Sequence, residues 1–352
     1  MTIEKSSFGK LENGAPVNLF TLQNKNGLSA KITDYGGIIV ALHVPDRRGN
    51  LEDIVLGKDS LADYLAGHPY FGCIAGRVAG RIAGAKFTLE GAEYELPENE
   101  PPDCLHGGWR GYDKMLWESE LIHDNGVDKL QLRTTDPDGN NGFPGNVTCE
   151  VTYALLNDNT LEIHYTAQTD KTTPFNITNH SYFNLKGAGN GDVFGHEVRI
   201  PSSEVAVADE NNTLLGRRAP VAEGYNDYRS PVRLGNHAPL ENGNADALFF
   251  LAEGRTRHPK EAAVVREPET GRVMEVFTTE PCVQFYAGLH LPAPPDDPEP
   301  GKAGCVYRRC DGLCVETEDY PDSVHFPEMG NALLQPGETF ASTTLFRFKT
   351  ED

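Results

Sequence analysis

Short runs in which apolar and polar residues alternate recur along the chain, and each run is bounded by Gly, Asn, Asp or Pro. The clearest of them has an apolar residue at every second position of 147–153. A second run, over 161–165, follows a polar turn sequence at 157–159, so the two runs together predict a β-hairpin. Further runs of this kind predict strands at 17–22, 37–44, 86–89, 193–200, 273–277 and 343–348.

The strand-like runs have no helical competitor of comparable length, since only residues 60–65 have a pattern typical of a short helix. The chain is therefore predicted to be all-β, with mostly antiparallel sheets in a sandwich or barrel. We treat residues 1–352 as a single domain, because no internal repeat divides them. The proline-rich segment at 291–304 has strand-like runs on both sides, so it is predicted to be a long stiff loop or excursion within that domain.

The acidic composition of the chain argues against two classes of partner. The 352 residues include 31 Lys and Arg against 52 Asp and Glu, a net charge of −21, which would repel nucleic acids and anionic membranes.

Three features of the sequence bear on cellular location. No stretch approaches the roughly 18 apolar residues of a membrane span, and the N-terminus lacks the pattern of a signal peptide. The chain has seven Cys, and this odd number favours reduced thiols over a disulfide framework. We therefore expect a cytoplasmic protein.

The sequence motifs of several common enzyme classes are absent. The chain contains no GxxxxGK[ST] phosphate loop, no GxSxG elbow and no HExxH helix. Cys310 and Cys314 form a close pair, but no second pair or nearby His completes a zinc site. Nucleotide hydrolysis, serine hydrolysis and zinc catalysis by the common motifs are therefore disfavoured.

Two arginines and a histidine lie among glycines in the first third of the chain. Arg77, Arg81 and His106 would together offer several hydrogen-bond donors to an oxygen-rich ligand. Gly107 and Gly108 would allow a close approach of the backbone. The alternative is an arginine pair on a solvated edge and a histidine in a glycine turn, and for each residue taken separately this alternative is favoured.

The segment at 173–185 is dense in Asn, Thr and Ser around His180, and aromatic residues bracket it. Directional polar groups beside ring faces are the combination that a pyranose needs for its hydroxyls and its C–H face. The alternative is a polar edge strand in which His180 hydrogen-bonds a backbone carbonyl. The residues alone leave both interpretations open.

Two glutamates near the C-terminus, Glu316 and Glu318, face the same side if their segment is a strand. Surface acids are common in so acidic a chain, so exposure is the simplest interpretation of this segment. Glu316 nonetheless lies between Val315 and Thr317 rather than in a loop, which makes it the better candidate for partial burial.

Together these segments resemble the aldose 1-epimerase (galactose mutarotase) family. The matching stretches occur in the family's order and span nearly the whole chain, at 70–72, 76–82, 105–117, 178–185, 283–286 and 314–322. The resemblance implies a large antiparallel β-sandwich of the galactose mutarotase type, open at one face for a free sugar. It also implies that the protein uses no metal or organic cofactor.

The resemblance further implies a role for each matching residue. Glu316 would be the general base, His180 the general acid, and His106 a second imidazole at the reacting end. The residues implied to bind or support the sugar are Arg81, Arg77, Asp246, Gln284, Asn179 and Tyr182. The chain departs from the family at Gly80, where Asn is common, and at Glu318, where Gln is common. Glu318 is therefore expected to add a negative charge near the base.

The implied reaction is the interconversion of the α and β anomers of a free aldohexose. A carboxyl with a pKa of about 4.3 and an imidazole with a pKa of about 6.5 have complementary protonation states near neutral pH, especially if mutual attraction keeps the imidazole charged. Two alternatives are a non-catalytic sugar-binding or regulatory module and a mutarotase for hexose 6-phosphates. We expect a small-molecule aldose as the partner, no nucleic acid or membrane, and a monomer or homodimer.

Overall fold

The computed structural model describes residues 2–237, 239–293 and 297–351. In these residues the chain forms mainly β-strands, with one α-helix, α1 (Leu61–Ala66), and short 3₁₀ helices at Ala83–Ala85, Tyr112–Lys114, Asn140–Gly142, Leu234–His237 and Lys302–Gly304. The strands are β1 (Thr2–Lys10), β2 (Pro16–Gln23), β3 (Ser29–Thr33), β4 (Ile39–Pro45), β5 (Leu51–Asp53), β6 (Ile74–Ala75), β7 (Arg81–Ile82), β8 (Lys86–Leu89), β9 (Ala92–Glu95), β10 (Cys104–Leu105), β11 (Glu118–Asp124), β12 (Val127–Asp136), β13 (Val147–Leu155), β14 (Thr160–Thr169), β15 (Thr173–Pro174), β16 (Thr178–Asn179), β17 (Glu197–Arg199), β18 (Glu204–Ala208), β19 (Leu214–Pro220), β20 (Val232–Arg233), β21 (Asp246–Phe250), β22 (Lys260–Glu267), β23 (Arg272–Thr278), β24 (Cys282–Tyr286), β25 (Glu299–Pro300), β26 (Val306–Tyr307), β27 (Cys314–Glu318), β28 (Leu333–Leu334) and β29 (Phe340–Thr350).

Three large antiparallel sheets make up most of the structure. The N-terminal sheet has the strand order β1-β2-β3-β4-β5, the nine-stranded sheet has the order β11-β12-β13-β14-β29-β23-β22-β17-β20, and the site sheet has the order β19-β18-β21-β24-β27. The remaining strands form two-stranded ribbons, of which β6 with β16 and β7 with β10 bear on the site described below.

The hairpin predicted from alternation is the pair β13 and β14. Val151 lies opposite Tyr165, and the apolar positions of both strands are buried. The run at 193–200 forms a strand over only three residues, Glu197–Arg199. The preceding backbone turns instead, because the N–H of His196 donates to the carbonyl of Val193 at 2.9 Å.

The site sheet packs on the nine-stranded sheet through one of its two faces. Val315, Phe285 and Phe346 belong to a single buried apolar cluster that also includes residues of the N-terminal sheet. Thr317 on β27 forms a hydroxyl–hydroxyl hydrogen bond of 2.6 Å with Thr344 on β29. The predicted β-sandwich is confirmed, and alternation along β27 leaves Glu316 on the opposite face. The shared core supports the single-domain prediction, which remains a prediction.

The short helix predicted at 60–65 is α1. Ser60 caps its N-terminus, because the Ser60 hydroxyl accepts a hydrogen bond from the N–H of Asp63 at 3.3 Å. Across the described part of the chain, no helix is both long and apolar enough to span a bilayer.

The predicted proline-rich loop at 291–304 is described only in part, since 294–296 lie outside the described residues. Its C-terminal part contains β25, which pairs with β26. Lys302 then anchors it to the N-terminal sheet, donating to the carbonyls of Val40 at 2.8 Å and Val55 at 2.6 Å and forming a salt bridge with Asp53 at 2.5 Å. This end of the segment is therefore fixed to the sandwich rather than extended into solvent.

Candidate active site

The free face of the site sheet forms the floor of a cavity. Gln284 lies opposite Glu316 in the pairing of β24 with β27, and Leu248 lies opposite Gln284 in the pairing of β21 with β24. Asp246 and Tyr286 are opposite each other one row further along. Because side chains two residues apart share a face of a strand, these five residues all point into the same space.

The cavity has a volume of about 560 Å³, within the range of roughly 300–1,000 Å³ that is typical of small-molecule sites. Loops and ribbons form its walls, and they bring His106, His180 and Arg81 over the floor. An apolar wall from β18, β19 and the loop after β19 closes the side that contains Leu214 and Tyr225.

His180 is fixed over the floor by its own backbone. It follows β16, its N–H donates to the carbonyl of Cys73 at 2.8 Å, and its carbonyl accepts from the N–H of Gly72 at 3.0 Å. Its side chain points into the cavity, where Nε2 lies 3.6 Å from Oε1 of Glu316. Nδ1 lies 3.6 Å from Sγ of Cys314, which lies two residues before Glu316 on the same face of β27.

His106 reaches the cavity from the turn after β10, which pairs with β7. Its backbone has a φ of 51°, and its N–H donates to the carbonyl of Gly80 at 3.0 Å. The N–H of Gly80 in turn donates to Nδ1 of His106 at 3.2 Å. Nδ1 is therefore an acceptor, and the hydrogen-bond network assigns the ring proton to Nε2, which makes His106 a hydrogen-bond donor to the cavity.

Burial shifts the pKa values of Glu316, His180 and His106 in the directions that favour their neutral forms. Desolvation and the nearby charge of Asp246 raise the pKa of Glu316 well above 4.5, although Arg81 opposes this shift. Desolvation lowers the pKa of His180 to about 4 and that of His106 well below 6.5. The condition that attraction keeps His180 charged is therefore not met, because desolvation outweighs the attraction of Asp246.

Glu318 lines the same cavity two residues beyond Glu316. It is 2% exposed, and one oxygen accepts a hydrogen bond from the amide of Asn176 at 3.3 Å. Desolvation, followed by the charge of Glu316, raises the pKa of Glu318 well above 4.5. The expected extra negative charge beside the base is thus corrected: desolvation outweighs the hydrogen bond from Asn176, so Glu318 favours its protonated form.

Glu318→Gln is expected to melt at the wild-type temperature near pH 4 and at a higher temperature at pH 8. The folded protein keeps the Glu318 proton over a pH range in which the unfolded chain, with a pKa near 4.5, has released it. Folding stability therefore falls as the pH rises through that range, and Gln removes this loss. Calorimetry at both pH values measures the difference, with the exposed Glu338→Gln as the matched control. A variant less stable than wild type at pH 8 would contradict this reasoning.

Four of the predicted sugar-binding residues line the cavity, namely Arg81, Asp246, Gln284 and Tyr182. Arg81 lies 3.6 Å from the carboxylate of Glu100, and its buried Nε has no hydrogen-bond partner among the described residues. Gln284 donates from Nε2 to Oδ1 of Asp246 at 2.6 Å. The floor therefore presents hydrogen-bond donors and acceptors side by side, as a polyhydroxyl ligand requires.

The other two predicted binding residues, Arg77 and Asn179, do not line the cavity. Arg77 is buried in an ion pair with Asp136, with Nε to Oδ2 at 2.7 Å, and it also donates to the carbonyl of Pro144 at 2.7 Å. Asn179 donates to the carbonyl of Gly72 at 2.9 Å. Both side chains are hydrogen-bonded within the protein, which suits the supporting role implied for Arg77, and the implied sugar-binding role of Asn179 remains a prediction.

Sequence reasoning missed three residues that shape the cavity: Tyr286, Asn212 and His290. Tyr286 could have been found, since it lies two residues after Gln284 on the same face of β24. Asn212 lies in the turn between β18 and β19, and His290 lies in the loop after β24. No periodicity marks loop residues of this kind, so the sequence carries no signal for them.

The reacting end also has the composition of a metal site. His106, His180 and Glu316 each offer one ligand atom, and these atoms lie within 4.8 Å of one another. Two imidazoles and one carboxylate can bind a transition metal. The hydrogen bond from Gly80 occupies Nδ1 of His106 and leaves Nε2 as the available ligand atom. Metal binding by this cluster is therefore tested by EDTA treatment in the activity assay described below.

Comparison with known proteins places the chain in context. A family model described as aldose 1-epimerase matches residues 18–347. The mouse protein named galactose mutarotase is 43% identical over 350 residues, covering 99% of each chain. The Escherichia coli K12 protein named aldose 1-epimerase is 32% identical over 345 residues, covering 96% of this chain and 97% of the relative.

A solved structure of an aldose epimerase homologue from C. elegans superimposes with a TM-score of 0.86 at 24% identity, covering 96% of this chain and 100% of that chain. At this level of identity the structural likeness establishes the fold alone, whereas the family model and the sequence relatives extend over nearly the whole chain. The chain belongs to the aldose 1-epimerase family.

Proposed function

We propose that this protein interconverts the α and β anomers of free aldohexoses, with Glu316 as the general base and His180 as the general acid. The observation that carries the proposal is the pairing of these two groups, with Oε1 and Nε2 3.6 Å apart, in the wall of a cavity of about 560 Å³. The family and its named relatives support the reaction class.

The reaction requires two proton transfers at opposite sides of the anomeric carbon. Glu316 removes the proton of the C1 hydroxyl while His180 protonates the ring oxygen O5, and the C1–O5 bond breaks to give the open aldehyde. Rotation about C1–C2 presents the other face of the carbonyl. As the ring closes, Glu316 returns its proton to the aldehyde oxygen while His180 takes the proton from the O5 hydroxyl, so each group acts as both acid and base.

Ring opening by this pair starts from ionised Glu316 and protonated His180, and it ends with the proton on Glu316 and a neutral His180. Burial raises the pKa of Glu316 and lowers that of His180 to about 4, so the pair holds its proton on Glu316 before the sugar reacts. A proton must therefore pass from Glu316 to His180 before the ring opens, and opening returns the pair to the protonation state that burial favours.

We expect kcat/KM to be highest in the pH range where Glu316 and His180 together hold one proton. As the pH falls through about 4, His180 gains a proton while Glu316 is already protonated, so no base remains. As the pH rises through the raised pKa of Glu316, the pair loses its last proton and no acid remains. A profile of rate against pH with its acid limb near 6.5, the ordinary pKa of an imidazole, would contradict this assignment.

His106 and four further residues bind the sugar. His106 donates from Nε2 at the reacting end, since its Nδ1 accepts from Gly80. Arg81 and Gln284 supply donors to hydroxyl oxygens, and Asp246 supplies an acceptor. The ring of Tyr182 lies 5.0 Å from that of His180, beside the reacting end.

The charge of the cavity disfavours a hexose 6-phosphate as the substrate. Among the described lining residues, Arg81 is the single Lys or Arg, against the acids Glu100, Asp209, Asp246, Glu316 and Glu318. A phosphate dianion would meet this acidic lining without a cluster of cations to bind it. A module that only binds sugar would not need a base and an acid 3.6 Å apart at the reacting end.

Exchange between the anomeric protons at equilibrium, measured by NMR, tests the proposal on several sugars. Glucose and galactose are expected to exchange faster with the protein than in buffer, and glucose 6-phosphate at least about tenfold less efficiently than glucose. Treatment with EDTA is expected to leave the rates unchanged; a loss restored by Zn²⁺ would replace the acid–base account with a metal site. Exchange at the buffer rate for every sugar would refute the proposal.

A further inference from the structure

Three side chains from three different elements hold the carboxylate of Asp246. Gln284 donates to Oδ1 at 2.6 Å, Asn212 donates from Nδ2 to Oδ2, and Nε2 of His290 lies 3.3 Å from Oδ2. Gln284 is a floor residue of β24, whereas the other two side chains reach Asp246 from loops. Asp246 itself is 6% exposed.

Local structure fixes both loop residues in position. Asn212 has a φ of 64° in the turn between β18 and β19, and its N–H donates to the carbonyl of Asp209 at 3.1 Å. The N–H of His290 donates to the hydroxyl of Tyr286 at 2.8 Å, and the two rings stack with centroids 5.7 Å apart and an interplanar angle of 18°. Each loop thus presents its side chain to Asp246 in a defined direction.

We propose that Asn212 and His290 are positioning residues that fix Asp246 and leave it one open acceptor position, on Oδ1, for a single sugar hydroxyl. An ionised carboxylate has about four lone-pair sites, two on each oxygen. Asn212 and His290 occupy Oδ2, and Gln284 occupies one site on Oδ1. This inference rests on the proposed function, since it assigns the residues that orient one of its sugar contacts.

His290 lines two cavities. It lines the main cavity and a neighbouring polar cavity of about 190 Å³, which Arg81 lines as well. Its side chain is 57% exposed, so replacing it leaves the core intact. A Phe in its place would keep the stacking on Tyr286 but would remove the donor to Asp246.

The test compares KM and kcat of the wild type with those of three variants on galactose and on glucose. His290→Phe and Asn212→Ala are each expected to raise KM about 3- to 10-fold with kcat within about twofold, because a lost hydrogen bond loosens the carboxylate that binds the sugar and does not touch the proton transfers. His290→Gln retains a donor and is expected to restore KM to within about threefold of wild type.

The control is His123→Ala. His123 lies on the β11–β12 hairpin, with Nδ1 2.8 Å from Oδ1 of Asp128, and its side chain is 65% exposed. It therefore reproduces the imidazole–carboxylate contact of His290 at a position outside the cavity. This variant is expected to keep both kinetic constants.

An unchanged KM in His290→Phe and Asn212→Ala, or a His290→Gln variant no better than His290→Phe, would overturn the inference. So would a fall in kcat at constant KM, since that result would place His290 in the chemical step. Wild-type exchange at the buffer rate would instead refute the proposed function, so the two failures are distinguishable.

Discussion

Glu316→Gln is expected to reduce the rate of anomer interconversion to that of the buffer blank. Gln keeps the shape of the side chain and its acceptor oxygen, but it cannot take a proton from the C1 hydroxyl. A positioned general base contributes about 10²–10⁴-fold, and no other described carboxylate is recorded within 4 Å of His180 to replace it. The loss is therefore expected in kcat, with KM changed much less, and steady-state polarimetry over a range of galactose concentrations measures both constants.

The Glu316→Gln variant is also expected to fold at least as stably as wild type near neutral pH. Burial raises the pKa of Glu316, so an uncharged amide suits its surroundings. Thr317→Val provides a matched control on the same strand: it removes the hydrogen bond to Thr344 on the opposite face and is expected to lower the melting temperature while keeping the rate. A Glu316→Gln protein as fast as wild type would remove Glu316 from the mechanism.

His180→Asn is expected to lower kcat by about 10²–10⁴-fold, because the amide cannot protonate the ring oxygen. His106→Asn is expected to retain more of the rate. Since Nδ1 of His106 accepts from Gly80, this residue donates a hydrogen bond from Nε2 and does not transfer a proton. Rates of the two variants under the same conditions measure the ranking, and circular dichroism checks that both are folded. The opposite ranking would exchange the roles of the two imidazoles.

The β-strands could be predicted from the sequence, because a strand that buries one face has apolar residues at every second position. The apolar positions of 147–153 are the buried face of β13, as the pattern indicates. The same period of two correctly placed Glu316 and Glu318 on one face of β27. It also explains why Asn179 does not line the cavity: that residue precedes His180, and successive side chains point in opposite directions, so only His180 enters the cavity.

The other differences come from contacts between residues distant in the sequence. The partner of Arg77 is Asp136, 59 residues away, and no local pattern indicates that this guanidinium is occupied within the protein. Gly107 does allow a close backbone approach, as predicted, but the approach is to the chain itself: a Cβ there would lie 2.2 Å from the carbonyl oxygen of Gly76. The cytoplasmic location and the expected monomer or homodimer remain predictions.

The protonation states could not be predicted either, because they depend on how deeply the groups are buried. Reference pKa values of the isolated side chains give an ionised carboxylate and a partly charged imidazole. In the cavity, desolvation reverses both preferences, raising the pKa of Glu316 and lowering that of His180 to about 4. That the shared proton rests on Glu316 rather than on His180 therefore required the structure.

The central claim is that the facing pair of Glu316 and His180 turns this family's cavity into a catalyst of anomer interconversion. Polarimetry of freshly dissolved α-D-galactose tests it most directly. We expect the optical rotation to relax with a rate constant that rises in proportion to the concentration of the wild-type protein. The rotation should reach the same equilibrium value as the blank. A rate constant equal to that of buffer at every protein concentration would contradict it.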